Sequence, residues 1–475
     1  MRWLPRAAFR SMPGDDLPSL MDTEPYRTLQ RHLIAHEKEL LELHRALVRF
    51  PTVNKGDGQS AHEAELASFA AEYLQDAGIS ARILEGAPER ANLLAEIGSG
   101  ERSMLWMSHS DVVPAGDESE WTHPPFAAVL DQGRIWGRGA HDCKMLVAAQ
   151  LFVLAQCARL GLPVDGRLKL AVGADEEAGG HWGFGWLARE HSEFLRADMA
   201  ICEGGGDTIG CFDGHTPEIS LGAGEKGRYE VTFHLRGPGG HASTPWGHLN
   251  PLSELSRIAE QLERVQPALH WDSPIFEHLG RWTGMGPPRN PRQLEAAIDM
   301  VADRSDGLAR SLRGQSRMTF TPTVFRSGET SNSIPGEARL SCDVRLLPGQ
   351  DRADIDAVVA EVLKGSANVT VEVDVTSPPS VSSAPAEVQE LFRKSIEQAI
   401  GVTARIVPTW CVGATDARYV RSVGTPVYGF QFISPDADPT RLGIHCVDES
   451  IEAGILLPCA LSLARLAANF FASSD

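Results

Sequence analysis

Three carboxylates stand side by side in GADEEAGG, residues 173–180: Asp175, Glu176 and Glu177. Like charges repel, and burying them is costly unless something positive compensates. Other metal-ligating types punctuate the chain: His109 and Asp111 in HSD, Asp142 in HDCKM, Glu203 in CEGGG, and His445 in GIHCVDES. Mixed imidazole and carboxylate donors suit zinc, manganese or cobalt. Many carboxylates with only two imidazoles suggest two metals sharing a bridging carboxylate. A combined charge of about +4 makes adjacent acids tolerable. Taken singly, each residue has a plainer reading. A histidine at a strand end is usually a hydrogen-bonded structural residue, a DEE run is usually a solvated turn, and Asp142 reads equally as a helix N-cap. Their joint occurrence at strand ends carries the metal reading.

The elements that must hold these groups are legible from hydrophobic spacing. Leu29, Leu33, Leu40, Leu43 and Leu47 give helical periodicity over 27–49. Ser60 with Glu63 forms a capping box for a second helix, which Gly78 stops. The runs ARIL, NLLAEI and MLWMSH then read as strands, followed by the apolar helix KMLVAAQLFVLAQCARLG and the strands RLKLAV and ADMAICE. Strands alternating with helices imply a mostly parallel sheet covered on both faces. Ligands bind such sheets at the strands' carboxyl ends, where HSD, DEE and Glu203 fall.

From about residue 225 the pattern changes. RYEVTFHLRG, EARLSCDVRL and NVTVEVDV alternate strictly and are separated by helical stretches near 250–264 and 351–364. That pattern predicts a smaller α+β layer with one exposed sheet face, inserted within the first domain. The expected boundaries are 21–224 with 379–475 for the metal-binding domain and 225–378 for the insert. Residues 1–20 read as a disordered extension.

At 475 residues the chain exceeds the usual size of one core. A net charge of −19 argues against non-specific nucleic-acid binding. Eight cysteines without CxxC spacing suggest a reducing, cytoplasmic setting, and Cys143, Cys202 and Cys446 read as small buried hydrophobes. No uninterrupted apolar run reaches the roughly 18 residues of a membrane span, so no membrane partner is expected.

HSDVVP, DQGRIWGRGAHDCKM, ADEEAGG, CEGGG, GEKGRYEVTFHLRGPGGHASTP, SNSIPGEARLSCDVRLLPG, GATDAR and GIHCVDE, in this order, closely resemble the M20 metallopeptidase family. That family includes glutamate carboxypeptidase, succinyl-diaminopimelate desuccinylase, acetylornithine deacetylase and aminoacylase. The resemblance implies a zinc-exopeptidase-like α/β catalytic domain with an inserted ferredoxin-like lid and dimerisation domain. It implies two divalent ions, zinc first, with cobalt or manganese as alternatives. His109 and Glu203 would hold one ion, Glu177 and His445 the other, and Asp142 would bridge. Asp111 would orient the His109 imidazole, and Glu176 would act as general base. His241 would reach the opposite subunit's site in a homodimer and stabilise the oxyanion. Asn332, Arg345, Gly413 and Thr415, with Asp416 beside them, would meet the substrate, a small peptide or an N-acyl amino acid with a free carboxylate. Domain closure would bring Asn332 and Arg345 over the metals. Lys144 and Lys226 also match but read as structural ion pairs, and Glu449 as a support for His445 or a cap of the last helix. The stretch 266–318 is long for a simple lid. A catalytically inactive dimeric binding protein of the same fold is the competing reading; its signature, a missing ligand or base, is not found in the sequence.

Overall fold

The computed structural model describes residues 24–57, 62–366, 368–433 and 442–472. The extension expected over 1–20 and the Ser60 cap lie outside them. The helical stretch over 27–49 is two helices, Glu24–Ala35 and Glu37–Val48, interrupted at His36, whose Nδ1 meets the His32 carbonyl at 2.9 Å. The next helix spans Glu63–Asp76, and Gly78 follows at φ 81 with its N–H on the Gln75 carbonyl. The chain divides into two compact units. One comprises the residues up to Ala223, Ser382–Pro408 and those from Thr415 on; the other comprises Gly224–Val381 and Thr409–Ala414.

The first unit is built on a mixed sheet. In spatial order its strands are Ala81–Ala87, Arg90–Gly98, Arg167–Gly173, Ser103–His109, Met199–Cys202, Val427–Gly429 and Glu218–Glu225. The four from Arg167–Gly173 to Val427–Gly429 run parallel, and the outer pairings are antiparallel. Alternation along one strand supplies both faces of the core. Met104 and Trp106 pack among the helices Lys144–Arg159, Ala386–Ile400 and Leu456–Ala472, while Leu105 and Met107 pack against Phe184, Leu187 and Val420. Each fully buried side chain of this kind contributes about 1.5–3 kcal/mol. The helix Lys144–Arg159 is buried on every side over most of its length, so it is apolar throughout rather than striped. The stretch Ala453–Ala472 is long and apolar enough to cross a membrane by length, with mean hydropathy 1.7, yet 78% of that window is buried inside the fold. It packs on Ala386–Ile400 and Lys144–Arg159 as a core helix.

The second unit carries a four-stranded antiparallel sheet in the order Thr319–Ser327, Glu337–Leu346, Gly227–Arg236, Thr370–Ser377. With the helices Pro251–Arg264 and Arg352–Val362, this is the ferredoxin-like β-α-β-β-α-β order. Tyr229, Val231, Phe233 and Leu235 form its core face. Asn250 caps the first helix through Leu252 N, and Asp351 with Asp354 forms a capping box on the second. The stretch 266–318 adds the helices Leu279–Thr283, Pro291–Ala302 and Asp306–Gln315. Gln315 Oε1 accepts from Ser273 Oγ, Thr409 Oγ1 and Trp410 N, tying this insertion to the 409–414 segment of the same unit. Lys226 donates to the carbonyls of Gly314 and Arg317, so it caps the end of the last inserted helix rather than pairing with an acid.

Candidate metal centre

Parallel strands ending at one edge bring distant residues together. Ser103–His109 ends on His109, which pairs in register with Gly173, and Met199–Cys202 leads directly into Glu203. After Gly173 the chain enters a short 3-10 turn through Asp175 in the left-handed region (φ 67), and this turn carries Glu176 and Glu177. Asp142 lies just before the helix Lys144–Arg159.

All five donors named from the sequence meet here. His109 Nε2 lies 3.0 Å from Asp142 Oδ1 and 3.4 Å from Glu203 Oε2. His445 Nε2 lies 3.2 Å from Asp142 Oδ2 and 3.3 Å from Glu177 Oε2. One Asp142 oxygen therefore faces each imidazole. His109 is buried, whereas the His445 side chain is half exposed. Glu176 lines a cavity of about 10 Å³ with His109, Glu203, Thr415 and Asp416, room for about one water.

A layer of buried polar groups fixes these donors. His109 Nδ1 meets the Asp111 backbone carbonyl at 3.0 Å, and the Asp111 carboxylate is farther, at 3.5 Å. That carboxylate instead accepts from Glu176 N, Glu177 N and Asn54 Nδ2, so Asp111 holds the acidic turn as well as the imidazole. Asp175 accepts from Asn54 Nδ2 and Trp182 N, a structural role. Arg418 and Tyr419 both donate to the Gly179 carbonyl at 2.7 Å, clamping the other end of the turn. A side chain at Gly180, itself at φ 67, would put a Cβ 2.1 Å from Asp416 Oδ1, so the close docking requires glycine. Glu449 neither supports His445 nor caps the last helix. It accepts from Arg138 Nη1 at 2.7 Å and from the N–H groups of Gly139, His141 and Asp142 at 3.0, 3.0 and 3.2 Å. Lys144 is likewise not ion-paired by contact: its Nζ donates to the Phe50 carbonyl at 2.6 Å.

The electrostatics show a set of acids crowded beyond what two imidazoles offset. Burial, then the Glu203 charge, pushes Glu176 well above the usual carboxylate range. Burial pushes Glu177 up to about 7 and Asp416 up to about 8. Burial opposes ionisation of Asp142, yet bonds from His109 and His445 hold it well below its ordinary value. Hydrogen bonds to Asp142 and Glu177 raise His445 to about 10. Glu177 Oε1 and both Asp416 oxygens are buried without a hydrogen-bond partner. Divalent cations would relieve this crowding and occupy the orphaned Glu177 oxygen. Two nitrogens with carboxylate oxygens are a donor set that zinc, cobalt or manganese accepts. The residues present thus fit a metal.

Asn54, Arg138 and Glu449 were not assigned these supporting roles from the sequence, because nothing local distinguishes PTVNKG or a late Glu as a partner of residues roughly 60 or 300 positions away. The remaining sequence-identified residues lie in the second unit, Gly413 among them. There the strand Gly240–His241 pairs with Ser333–Ile334, and Ala242 N donates to the Asn332 carbonyl, so His241 and Asn332 are neighbours. His241 is exposed, and its Nδ1 lies 2.7 Å from Ser243 Oγ. Arg345 already spends its fork on Asp343, at 2.7 and 3.3 Å.

Residues 105–469 match the profile of Peptidase family M20/M25/M40. The chain belongs to this family and is an M20-type hydrolase of a metal-dependent class. It is 27% identical over 440 residues to the succinyl-diaminopimelate desuccinylase of Cereibacter sphaeroides, covering 90% of this chain and 97% of that one. The fold resembles the M20 family metallo-carboxypeptidase of Sulfolobus solfataricus, with TM-score 0.69, 18% identity, and 95% and 100% of the two chains covered. It also resembles human carnosine dipeptidase 1, with TM-score 0.66, 17% identity, and 94% and 100% covered.

Proposed function

We propose that the chain is a dinuclear metal-dependent amidohydrolase. It cleaves the amide bond of a dipeptide, short peptide or N-acyl amino acid bearing a free carboxylate. The observation that carries this reading is Asp142, with one oxygen toward the His109–Glu203 pair and the other toward the His445–Glu177 pair. His109 and Glu203 would hold one ion, His445 and Glu177 the other, and zinc is the metal the donor set suits best. Two such ions supply Lewis acidity and a nucleophilic water at neutral pH. Glu176 takes the proton of the attacking water and returns it to the leaving amine. Burial and the Glu203 charge raise its proton affinity, which favours taking the proton from water. Asp111 keeps Glu176 aimed by holding its backbone N–H.

The insert, 225–378, serves as lid and dimerisation domain in this reading. His241 donates to the oxyanion in the partner subunit's site. Asn332, Gly413 and Thr415 contact the substrate, and Arg345 takes its carboxylate by exchanging it for Asp343. The similarity to a desuccinylase supports the N-acyl arm, and the likeness to peptidase folds supports the peptide arm. Eight cysteines without CxxC spacing accord with a cytoplasmic location.

The metal-loaded protein, assayed on dipeptides and N-acyl amino acids, should release amine from one class. Glu176→Gln should retain its metals and lose about 10²–10⁴ in rate, the usual contribution of a general base. No turnover of any amide by a fully loaded protein would favour the inactive binding protein. Undiminished activity in Glu176→Gln would overturn the base assignment.

A further inference from the structure

A thiol stands at this centre that the five-donor set leaves out. Cys143 follows Asp142 directly and is fully buried. Its sulfur, a His109 ring nitrogen and a Glu203 carboxylate oxygen all lie within 4.8 Å of one another. Those are the two residues assigned above to one ion. The other nearby thiol is differently engaged, since Cys202 donates to the Glu203 backbone carbonyl at 3.1 Å.

We propose that Cys143 is a sulfur ligand of the ion held by His109 and Glu203, making that half of the centre softer than the His445–Glu177 half. The inference rests on the dinuclear reading above. In a tetrahedral zinc site with bonds of about 2.0–2.3 Å the donors stand about 3.5 Å apart, so a trio within 4.8 Å needs to contract by about 1.3 Å at most. With one Asp142 oxygen, the set becomes one nitrogen, one sulfur and two oxygens. The His445 half keeps only nitrogen and oxygen. In the free protein Cys143 is a buried thiol. On metal binding the proton leaves to solvent and the sulfur pair goes to the ion, as coordinated thiols do. Softness then gives the two halves different preferences. Thiolate ligands select zinc, cadmium and cobalt, whereas carboxylate and imidazole also accept manganese. Native protein offered manganese with limiting zinc would hold a mixed pair, with zinc on the Cys143 side.

The test uses the full chain stripped with chelator and reloaded with cobalt. The native protein should show a thiolate-to-cobalt charge-transfer band in the near ultraviolet, growing with the tighter of two bound ions. Cys143→Ala should lose the band and weaken that ion at least about tenfold, while Cys202→Ala, a control at the neighbouring thiol, should keep it. X-ray absorption of the zinc-loaded native protein needs no variant, and should show a sulfur shell at about 2.3 Å. Two bound cobalt ions with no charge-transfer band, or a band that survives Cys143→Ala, would overturn the thiol assignment and leave the dinuclear reading standing. A native protein that bound no cobalt would overturn both.

Discussion

Glu449 offers a sharp test of how the centre is positioned. Its carboxylate is fully buried and accepts four hydrogen bonds, from the Arg138 guanidinium and from the backbone N–H groups of Gly139, His141 and Asp142. Glu449→Ala strands a guanidinium that is itself only 2% exposed, together with three backbone donors. Breaking a buried pair from one side costs about 3–5 kcal/mol. For a chain of this size that is a melting-temperature loss of roughly 3–5 °C. Glu449→Gln keeps the shape but presents an NH₂ group to at least one donor in either orientation, so it should fall between. Because the lost hydrogen bonds include the one donated by the Asp142 N–H, affinity for the metal pair should drop about 10–100-fold. Thermal denaturation of metal-stripped protein reads the first effect, and chelator competition reads the second. Glu452→Gln is the control, since Glu452 is a third exposed and pairs with Arg134 at 3.6 Å. It should change stability by about 0.5 kcal/mol at most. If both Glu449 variants melted within about a degree of the native protein and kept its metal affinity, the positioning argument would fail.

Asp111→Asn should loosen the Glu176–Glu177 turn, because one acceptor oxygen of the pair that holds their N–H groups becomes a donor; chelator competition should register a loss of about 10–100-fold in metal affinity. His44 is fully buried with its Nε2 2.7 Å from the Ala140 carbonyl, and burial depresses it to about 4. The unfolded chain binds that proton near pH 6.5 and the native state does not. Stability from His44 is therefore complete above pH 6.5 and is lost as pH falls toward 4, by about 3 kcal/mol in all. Denaturation of the metal-free protein across this window should show that decline, reduced in His44→Gln; a difference between the two proteins that stayed constant with pH would contradict it.

The sequence was most readable where chemistry and local pattern coincide. MLWMSH opens with a continuous apolar run and ends on His109, so strand and candidate ligand were visible together, as were DMAICE and Glu203. The alternation of RYEVTFHLRG likewise marked the antiparallel layer. What could not be read were partnerships between residues far apart in the chain. Glu449 was assigned to its neighbour His445 or to the last helix because those are the near candidates; only the fold brings it to Arg138 and Asp142. Lys226 looked like half of an ion pair, yet the inserted helix Asp306–Gln315 ends beside it and offers carbonyls instead. The break at His36 was hidden because leucine spacing continues through it. The resemblance implies that Asp111 orients the His109 imidazole, and its grip on the Glu176–Glu177 turn depends on a strand pairing that local sequence does not encode.

The central claim is that two ions share Asp142. Anomalous diffraction from zinc-loaded crystals, with metal content measured on the same protein, tests it most directly. The account predicts two zinc ions per chain about 3.5–4 Å apart, one bound by His109 and Glu203, the other by His445 and Glu177, and both by Asp142. A single ion, or metal density away from these residues, would contradict it.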